Sequence, residues 1–257
     1  MNPGAAPSML MLEKSLVALV PLAASFLVAC SSDGAQAPEA QIVPEGVVVS
    51  AHEGNNSVFS VKALTIRQGP AGPELYAAVN NDGDAAGCNP SFSVTLYDKD
   101  EQTLGVGVSG LMTRRFYRVM DESGNIAGCI LPGDTTMVAI TSLSMDAPIT
   151  AVHSVVYSSQ YWTLADVQAI DGISLSGVAA VKRSDGVAYT GSLVNGLDTT
   201  LDHPTVAVYP LSAVGRPLGV AYGGATLEVA PGGSWNFETN TVSDAGVSFD
   251  AYPMGGP

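Results

Sequence analysis

The sequence has little charge, and most of the charge it has is negative. Only 13% of its 257 residues are charged, and 24 acidic residues outnumber 10 lysines and arginines, which gives a formal net charge of −14. Such a surface repels phosphate backbones, so we expect no nucleic-acid partner. A helical protein would need more surface Lys and Glu. The 28 glycines and 16 prolines between short apolar runs instead favour an all-β protein.

The sequence also lacks the spacings of common catalytic and metal sites. Its three histidines, His52, His153 and His203, stand far apart, and no Gly-x-Ser-x-Gly motif occurs. We therefore expect no enzyme activity, no metal site and no cofactor beyond a covalent lipid. Two oxygen-rich segments, Asn80–Asp84 and Asp98–Glu101, have the residue types of a calcium loop, but ordinary hairpin turns use the same residues.

The first 30 residues have the organisation of an export signal. Lys14 supplies a positive charge, and residues 15–28 form an apolar run that is short for a membrane-spanning helix. The run ends in Leu27-Val28-Ala29-Cys30, which resembles the lipobox of bacterial lipoproteins. That resemblance implies cleavage before Cys30 and attachment of lipid, including palmitate, to this cysteine. The alternative is an ordinary secretion signal that has a cysteine here by chance.

The lipobox resemblance also implies a location in the bacterial cell envelope. Lipid on Cys30 anchors a protein to a membrane, since each buried CH₂ contributes about 0.8 kcal/mol. Ser31 follows the cysteine, and in the usual Gram-negative rule this implies the outer membrane, with its periplasmic and outward sides both left open. Residues 1–29 are then the signal peptide, and residues 30–44 are the lipidated cysteine with a flexible tether.

After the tether, short apolar segments alternate with turn residues, as in antiparallel sheets. Between Ser91 and Tyr97 the apolar residues Phe92, Val94 and Leu96 alternate with polar ones, which is the period of a half-buried strand. Further strands are predicted over Gly46–Ala51, Val58–Ile66, Leu75–Asn80, Thr103–Val108, Thr135–Leu143 and Val152–Tyr157.

The second half repeats four segments of the first half in the same order. The copies lie roughly 100–115 residues apart, which indicates duplication of one domain. The matched segments are Leu75–Asn80 with Tyr189–Asn195, Ser93–Tyr97 with Thr205–Tyr209, Leu104–Val106 with Leu218–Val220, and Ile130–Asp134 with Val229–Gly233.

The clearest motif is Phe92-Ser93-Val94-Thr95-Leu96-Tyr97-Asp98, followed by Leu104-Gly105 and by Leu131-Pro132-Gly133-Asp134. It resembles the FxLYD family of small β-sandwich domains from prokaryotic surface lipoproteins. The resemblance implies two immunoglobulin-like antiparallel sandwiches, over residues 45–160 and, as a weaker copy in which Pro210 follows the tyrosine, over residues 161–257. It implies no enzymatic activity and no defined ligand residues. Residues 158–167, at the boundary, are predicted to form a short helix.

Two cysteines remain when Cys30 carries the lipid. In an exported protein Cys88 and Cys129 favour one structural disulfide, confined to the first half. A redox-active pair is the alternative, but the C-x-x-C spacing is absent.

Two groups of residues are candidates for binding a partner. Arg114, Arg115 and Arg118 concentrate positive charge in an acidic chain, and they would either bind carboxylates of a partner or glycan or pair internally with acidic residues. Tyr161 and Trp162 would either pack between the domains or present an aromatic binding surface. Trp235 and Phe237, on one face of a predicted strand, are expected in the core.

Three functions fit these observations. The first is a membrane-anchored, non-enzymatic binding or envelope-assembly module that contacts an envelope protein or glycan through sandwich edges and loops. The second is a structural stalk or coat component of the cell surface. The third is an envelope glycan-processing hydrolase, which requires two carboxylates, or a nucleophile and its base, to converge at the domain boundary.

Overall fold

The computed structural model describes residues 47–53, 57–110, 116–118, 126–164, 167–169 and 172–254. In these ranges the chain forms strands and one turn of 3₁₀ helix, Ile149–Ala151, and no α-helix. The prediction of an all-β sandwich fold is confirmed. The strands are β1 (Val48–Ala51), β2 (Phe59–Gly69), β3 (Gly72–Asn81), β4 (Ala86–Tyr97), β5 (Thr103–Gly110), β6 (Phe116–Arg118), β7 (Ile126–Ile130), β8 (Thr135–Ile140), β9 (Ser144–Met145), β10 (Ser154–Leu164), β11 (Gln168–Ala169), β12 (Ile173–Arg183), β13 (Gly186–Asn195), β14 (Thr205–Leu211), β15 (Ala221–Gly224), β16 (Ser234–Glu238) and β17 (Ser248–Met254).

The first sandwich packs two sheets face to face. One sheet has the order β2-β3-β8, and in the other β4 lies between β10 and β5, with β1 outside β10 and parallel to it. The predicted alternation on β4 is confirmed, because Phe92, Val94 and Leu96 are at most 2% exposed. They share one core with residues of the facing sheet such as Leu75 and Val138.

The beginning of β4 carries a short extension of its sheet. It pairs with β7, which continues through β6 to β11. Cys88 on β4 lies directly opposite Cys129 on β7, with 4.0 Å between their Cα atoms, and the two form a disulfide. The predicted disulfide is therefore confirmed.

The second sandwich packs the sheet β12-β13-β16 against the sheet β15-β14-β17. Its core is formed from both sheets, with Tyr189, Leu193 and Phe237 on one side and Val206 and Val208 on the other. Each of these five side chains is at most 4% exposed.

The strand registers show which residues of the two sandwiches correspond. A residue of the first sandwich and its counterpart in the second are 114 residues apart for β2 to β5, 99 for β8 and 94 for β10. We call this distance along the chain the offset. Even an unusual backbone conformation is repeated, since Asn89 and His203, which are 114 residues apart, both have a φ of 45°. Three pairs of residues that lie opposite each other on neighbouring strands show the correspondence. Phe59–Asn81 corresponds to Ile173–Asn195, Asn80–Thr135 to Val194–Ser234, and Tyr97–Ser154 to Leu211–Ser248.

These registers differ at two places from the sequence match. Asn195 corresponds to Asn81, and not to Asn80 as in the match of Leu75–Asn80 with Tyr189–Asn195. Phe92 pairs with Ser109 as Val206 pairs with Gly223, so Phe92 corresponds to Val206. The matched segments Ser93–Tyr97 and Thr205–Tyr209 are therefore two residues out of register. A shift of two preserves the alternation of inward and outward side chains, so the sequence pattern alone does not reveal it.

A buried asparagine fixes the same turn in each sandwich. The Asn81 side chain is fully buried; its amide donates to the carbonyls of Ala85 at 2.9 Å and Ile130 at 2.8 Å, and its oxygen accepts from the Gly83 N–H at 3.0 Å. Asn195, also fully buried, makes the corresponding three bonds to Thr199, Val229 and Leu197, at 2.9, 2.8 and 3.0 Å.

The two sandwiches pack through the outer faces of one sheet each. Tyr76 and Met137, from β3 and β8, share a buried cluster with Tyr209 and Tyr252, from β14 and β17. The rings of Tyr209 and Tyr252 meet edge to face, with 5.8 Å between their centroids. The sheets are thus stacked in four layers, and the two inner sheets have both faces buried.

A charged network closes one side of this interface. Arg67 donates to a Glu74 carboxylate oxygen at 2.9 Å and to the Leu218 carbonyl of the second sandwich at 2.7 Å. The Tyr76 hydroxyl donates to the same carboxylate oxygen at 2.8 Å. Both charged side chains are nearly buried, with 11% and 9% of their surfaces exposed. The second hydrogen bond of Arg67 therefore links the first sandwich directly to the second.

The predicted helix at the boundary is wrong. Residues Ser158–Leu164 continue β10, where they pair with β4 back to Ala86. The reason is that β4 is twelve residues long and its backbone groups need partners along their whole length. Since β10 runs to Leu164, Tyr161 and Trp162 belong to the sheet of the first sandwich.

Candidate functional site

The outer edge of β10 in the first sandwich is covered by β1. The Val48 N–H donates to the His153 carbonyl at 3.1 Å, and the His52 N–H donates to the Tyr157 carbonyl at 2.8 Å. Val47, just before β1, packs against the core beneath this edge. Val155 of β10, behind β1, has no exposed surface.

The corresponding edge in the second sandwich is open. β17 corresponds to the first part of β10, and in the described part of the chain no strand pairs with its outer side. The offset of 94 places Val247 and Ala251 where His153 and Tyr157 stand, so their carbonyls occupy the positions that accept hydrogen bonds from β1. The Val247 side chain at this edge is 74% exposed.

Connectivity explains why the edge is open. At the offset of 114, the counterpart of β1 would lie at residues 162–165. Residues 162–164 are already used as the end of β10, where Trp162 lies opposite Cys88 of the first sandwich. Among the described residues between β10 and β12, none is therefore placed beside β17.

A partly buried apolar rim lies beneath the open edge. β12 and β17 are terminal strands of their sheets and approach each other on this side of the sandwich. Leu175 and Val178 of β12, and Phe249 and Ala251 of β17, pack against the second core but are only partly buried. The Phe249 ring meets Tyr189 edge to face, with 5.2 Å between the centroids. In the first sandwich Val47 covers the equivalent rim.

The apolar rim carries little charge. β12 has no charged residue before Lys182, and Asp250 is the only charged residue of β17. The Asp250 carboxylate accepts a hydrogen bond from the Tyr252 hydroxyl at 3.3 Å. The Tyr189 hydroxyl donates to the Ala245 carbonyl at 2.9 Å, and burial, with a smaller contribution from the negative charge of Asp244, raises the pKa of Tyr189 to about 12.

This arrangement is suited to binding an extended chain. Edge carbonyl and N–H groups can pair with an added strand, and the apolar rim can pack against its alternate side chains. Natural proteins normally protect such edges, because an uncharged edge pairs readily with other chains.

The predicted arginine cluster falls largely outside the described residues. Arg114 and Arg115 lie outside them, and of Arg118 only the backbone is described, as the end of β6 opposite Ile126 and Gln168. Cys30, the predicted lipidation site, also lies outside the described residues.

The predicted aromatic pair lies on β10. Tyr161 packs against the first core, where its ring meets Phe59 edge to face with 4.9 Å between centroids, and its hydroxyl accepts from the Val58 N–H at 3.3 Å. Trp162, opposite Cys88, is 40% exposed. Tyr161 therefore packs within the first sandwich instead of between the two.

The oxygen-rich segments behave as turns. Asp82 accepts hydrogen bonds from Ser60, Asn80 and Lys62, and these bonds, in that order of size, lower the pKa of Asp82 to about 2. The Asp98 carboxylate accepts from the N–H groups of Asp100 and Gln102, both at 2.8 Å. No group of three His, Cys, Asp or Glu residues arranged to hold a metal occurs among the described residues.

Trp235 and Phe237 pack as the sequence predicts. Phe237 is buried in the second core, Trp235 packs partly buried against it, and the ring centroids are 5.8 Å apart. Trp235 also lines a cavity of about 250 Å³ whose other wall is residues 225–230. This cavity is open and mainly polar.

The sequence did not reveal the apolar rim residues Leu175, Val178, Phe249 and Ala251. They are ordinary strand residues, and their importance depends on the lack of a strand beside β17 in the described part of the chain. The order of the repeat could have indicated the open edge. The segment Val47–Ala51 precedes the first copy, and no similar segment precedes the second copy.

No helix in the described part of the chain has the length and hydropathy of a membrane span. No protein-family model and no curated protein sequence matches this chain. The resemblance to FxLYD domains and to lipoproteins therefore stays a prediction.

Proposed function

We propose that the protein is a lipid-anchored, non-enzymatic module of the bacterial cell envelope that binds another envelope polypeptide by strand addition. The observation that carries the proposal is the difference between two equivalent edges. β10 is completed by β1, whereas β17, its counterpart, has no strand on its outer side in the described part of the chain, and apolar residues beside it are only partly buried.

Several further features support a binding role. The net charge of −14 favours a soluble, extracytoplasmic surface that does not bind nucleic acid. The buried interface and the Arg67 hydrogen bond to Leu218 hold the two sandwiches in one arrangement, so the edge of β17 is presented in a fixed direction. A rigid edge binds an extended segment at a lower entropic cost than a mobile one.

The anchor and the location are separate parts of the proposal. The Leu27–Cys30 motif supports lipidation of Cys30, and Ser31 supports the outer membrane. Expression of wild type and Cys30→Ser in a diderm bacterium, with radiolabelled palmitate and membrane fractionation, tests both. We expect the label and the membrane association in wild type only. A wild type that takes no label and is released would contradict the anchor.

The binding role is tested with a peptide that copies β1, the strand that covers the equivalent edge of the first sandwich. A dye-labelled peptide with the sequence of residues 47–51, extended by polar residues for solubility, is titrated with the mature full-length protein. Saturable binding is expected. Val247→Asp, which places a charge at the open edge, should weaken it about tenfold, the effect of 1.4 kcal/mol.

Val108→Asp is the matched control, because Val108 is a similarly exposed valine, at 71%, on β5 of the first sandwich. It should leave the affinity unchanged. Absence of saturable binding to wild type, or equal losses in both variants, would refute strand addition at β17.

A further inference from the structure

The outer sheet of the first sandwich has no charge on its strands. Its strands β9, β5, β4, β10 and β1 contain no charged residue, although charged residues make up 13% of the chain. The outer sheet of the second sandwich differs, because Lys182 and Arg183 lie on β12 and Glu238 lies on β16. We call the side of the uncharged sheet that points away from the first core the neutral face.

Hydroxyl groups and methyl groups stand side by side on the neutral face. Ser93 of β4 lies between Ser158 of β10 and Val108 of β5, and the hydroxyls of the two serines are hydrogen bonded at 2.6 Å. The side chains of Thr95 and Gln160, on the same face, form no hydrogen bond with the described residues. Polar groups that can donate and accept hydrogen bonds are therefore available between exposed apolar ones.

An aromatic side chain stands near each end of the neutral face. Trp162, which is exposed, lies opposite Cys88, and Tyr97, which is partly exposed, lies nine positions after Cys88 on β4. At a rise of about 3.3 Å per residue, the two aromatic residues are roughly 25–30 Å apart. A ligand that contacts both must be a long chain and cannot be a single sugar or another small molecule.

This chemistry favours an uncharged polysaccharide over other ligands. Sugar hydroxyls can pair with serine, threonine and glutamine side chains, and the apolar faces of sugar rings can pack on aromatic rings. A charged polymer would find no ion-pair partner on these strands. A protein partner fits less well, because the cores of protein interfaces are depleted in serine.

The size of the face also argues against a second copy of the chain. Five strands spaced about 4.8 Å apart, with about eight residues along the longest, cover at most about 20 Å by 25 Å, or about 500 Å². A standard protein interface buries about 800 Å² on each partner. Two copies would in addition each have a net charge of −14.

From these observations we propose that the neutral face is a second binding site, which holds an uncharged polysaccharide chain along β4 from Tyr97 to Trp162. This site goes beyond the proposed function and does not depend on the edge of β17. It would allow the protein to hold a polypeptide and a glycan at the same time, on different sandwiches.

The test uses soluble polysaccharides of known charge. The mature full-length protein is run in native gels that contain dextran, a galactomannan or hydroxyethyl cellulose, which are uncharged, or polygalacturonate, which is acidic. At least one uncharged polymer should retard the protein, and polygalacturonate should not. If no uncharged polymer retards it, or if polygalacturonate binds most tightly, the proposal is wrong.

Variants assign the binding to the neutral face. Trp162→Ala should weaken it about fivefold to tenfold, and so should Ser91→Asp, which places a charge between the two aromatic residues. Ser192→Asp is the matched control, because Ser192 is a similarly half-buried serine that faces outward on the central strand of the other outer sheet. It should leave the affinity unchanged. Circular dichroism confirms that each variant is folded, and equal losses in Ser91→Asp and Ser192→Asp would overturn the assignment.

Fluorescence reports directly on the aromatic end of the site. In Trp235→Phe the remaining tryptophan is Trp162, whose emission should change when the polysaccharide binds. In Trp162→Phe the emission of Trp235 should stay constant, and the opposite pattern would place the glycan on the second sandwich. Concentration-dependent self-association that Ser91→Asp removes would assign the neutral face to a second copy instead. Binding of the residue 47–51 peptide should be the same in Ser91→Asp as in wild type, so the two sites can fail independently.

Discussion

Replacing Asn195 by alanine removes three hydrogen bonds from a side chain that is fully buried in the second sandwich. Two of the bonds are donated to the carbonyls of Thr199 and Val229, and the third is accepted from the Leu197 N–H. Alanine leaves all three backbone groups without this partner in a site where water has little access. The perturbation therefore tests whether this asparagine fixes the turn.

The expected cost is about 2–4 kcal/mol of unfolding free energy, from three hydrogen bonds at roughly 0.5–1.5 kcal/mol each. Urea denaturation followed by tryptophan fluorescence measures it. The chain has two tryptophans, Trp162 in the first sandwich and Trp235 in the second, so variants with a single remaining tryptophan report on each sandwich separately. Asn81→Ala should cost the same amount, because its three bonds have the same geometry.

The control is Asn236→Ala, since Asn236 is exposed on β16 and its loss should change the stability by less than about 0.5 kcal/mol. A cost below about 1 kcal/mol at Asn195 would refute the reasoning. So would a large cost at Asn81 with none at Asn195, because the two positions would then not be equivalent.

Three further predictions follow from the repeat and the interface. Asp202→Cys with Glu228→Cys, at the counterparts of the native disulfide, should form a second disulfide that stabilises the protein by roughly 3–4 kcal/mol; free thiols that persist under oxidising conditions would contradict the correspondence. Arg67→Met leaves the nearly buried Glu74 carboxylate without its cation and should cost about 3–5 kcal/mol in urea denaturation, whereas combining it with Glu74→Leu should restore part of the loss. Because burial raises the pKa of Tyr189 to about 12 from its ordinary 10.0, the stability that its neutral form contributes is intact below pH 10 and is lost as the pH rises to 12; Tyr189→Phe should flatten that part of the stability–pH curve, and an unchanged curve would count against it.

Local sequence patterns predicted which segments form strands better than they predicted which strands pair. The alternation of Phe92, Val94 and Leu96 identified β4 and its buried face, because a half-buried strand requires that period. The disulfide followed from counting the cysteines of a chain that the sequence predicts to be exported. Both depend on local sequence or composition.

Long-range pairing was harder to predict. Residues 158–164 have no strong preference against a helix. The decisive factor is the length of β4, whose residues that pair with them lie 65 to 78 residues earlier in the chain. The interface was equally hidden, because Tyr209 and Tyr252 lie on the faces that a lone sandwich would expose. The candidate edge is open because no described strand lies beside β17. Residues of an edge strand need not differ from those of a central strand, so no local sequence pattern identified it.

The two outer faces of the four-layer stack differ chemically from the two faces that meet at its centre. The first unit contributes Tyr76 and Met137 to the interface, and their counterparts in the second unit are the polar residues Thr190 and Asn236. A third unit placed the same way would therefore meet a hydrophilic cap. At the other end, the counterparts of Tyr209 and Tyr252 are the polar residues Thr95 and Ser158. Each sandwich thus has an apolar outer face only where the other covers it, and the contact between them cannot be repeated with the same residues to form a fibre.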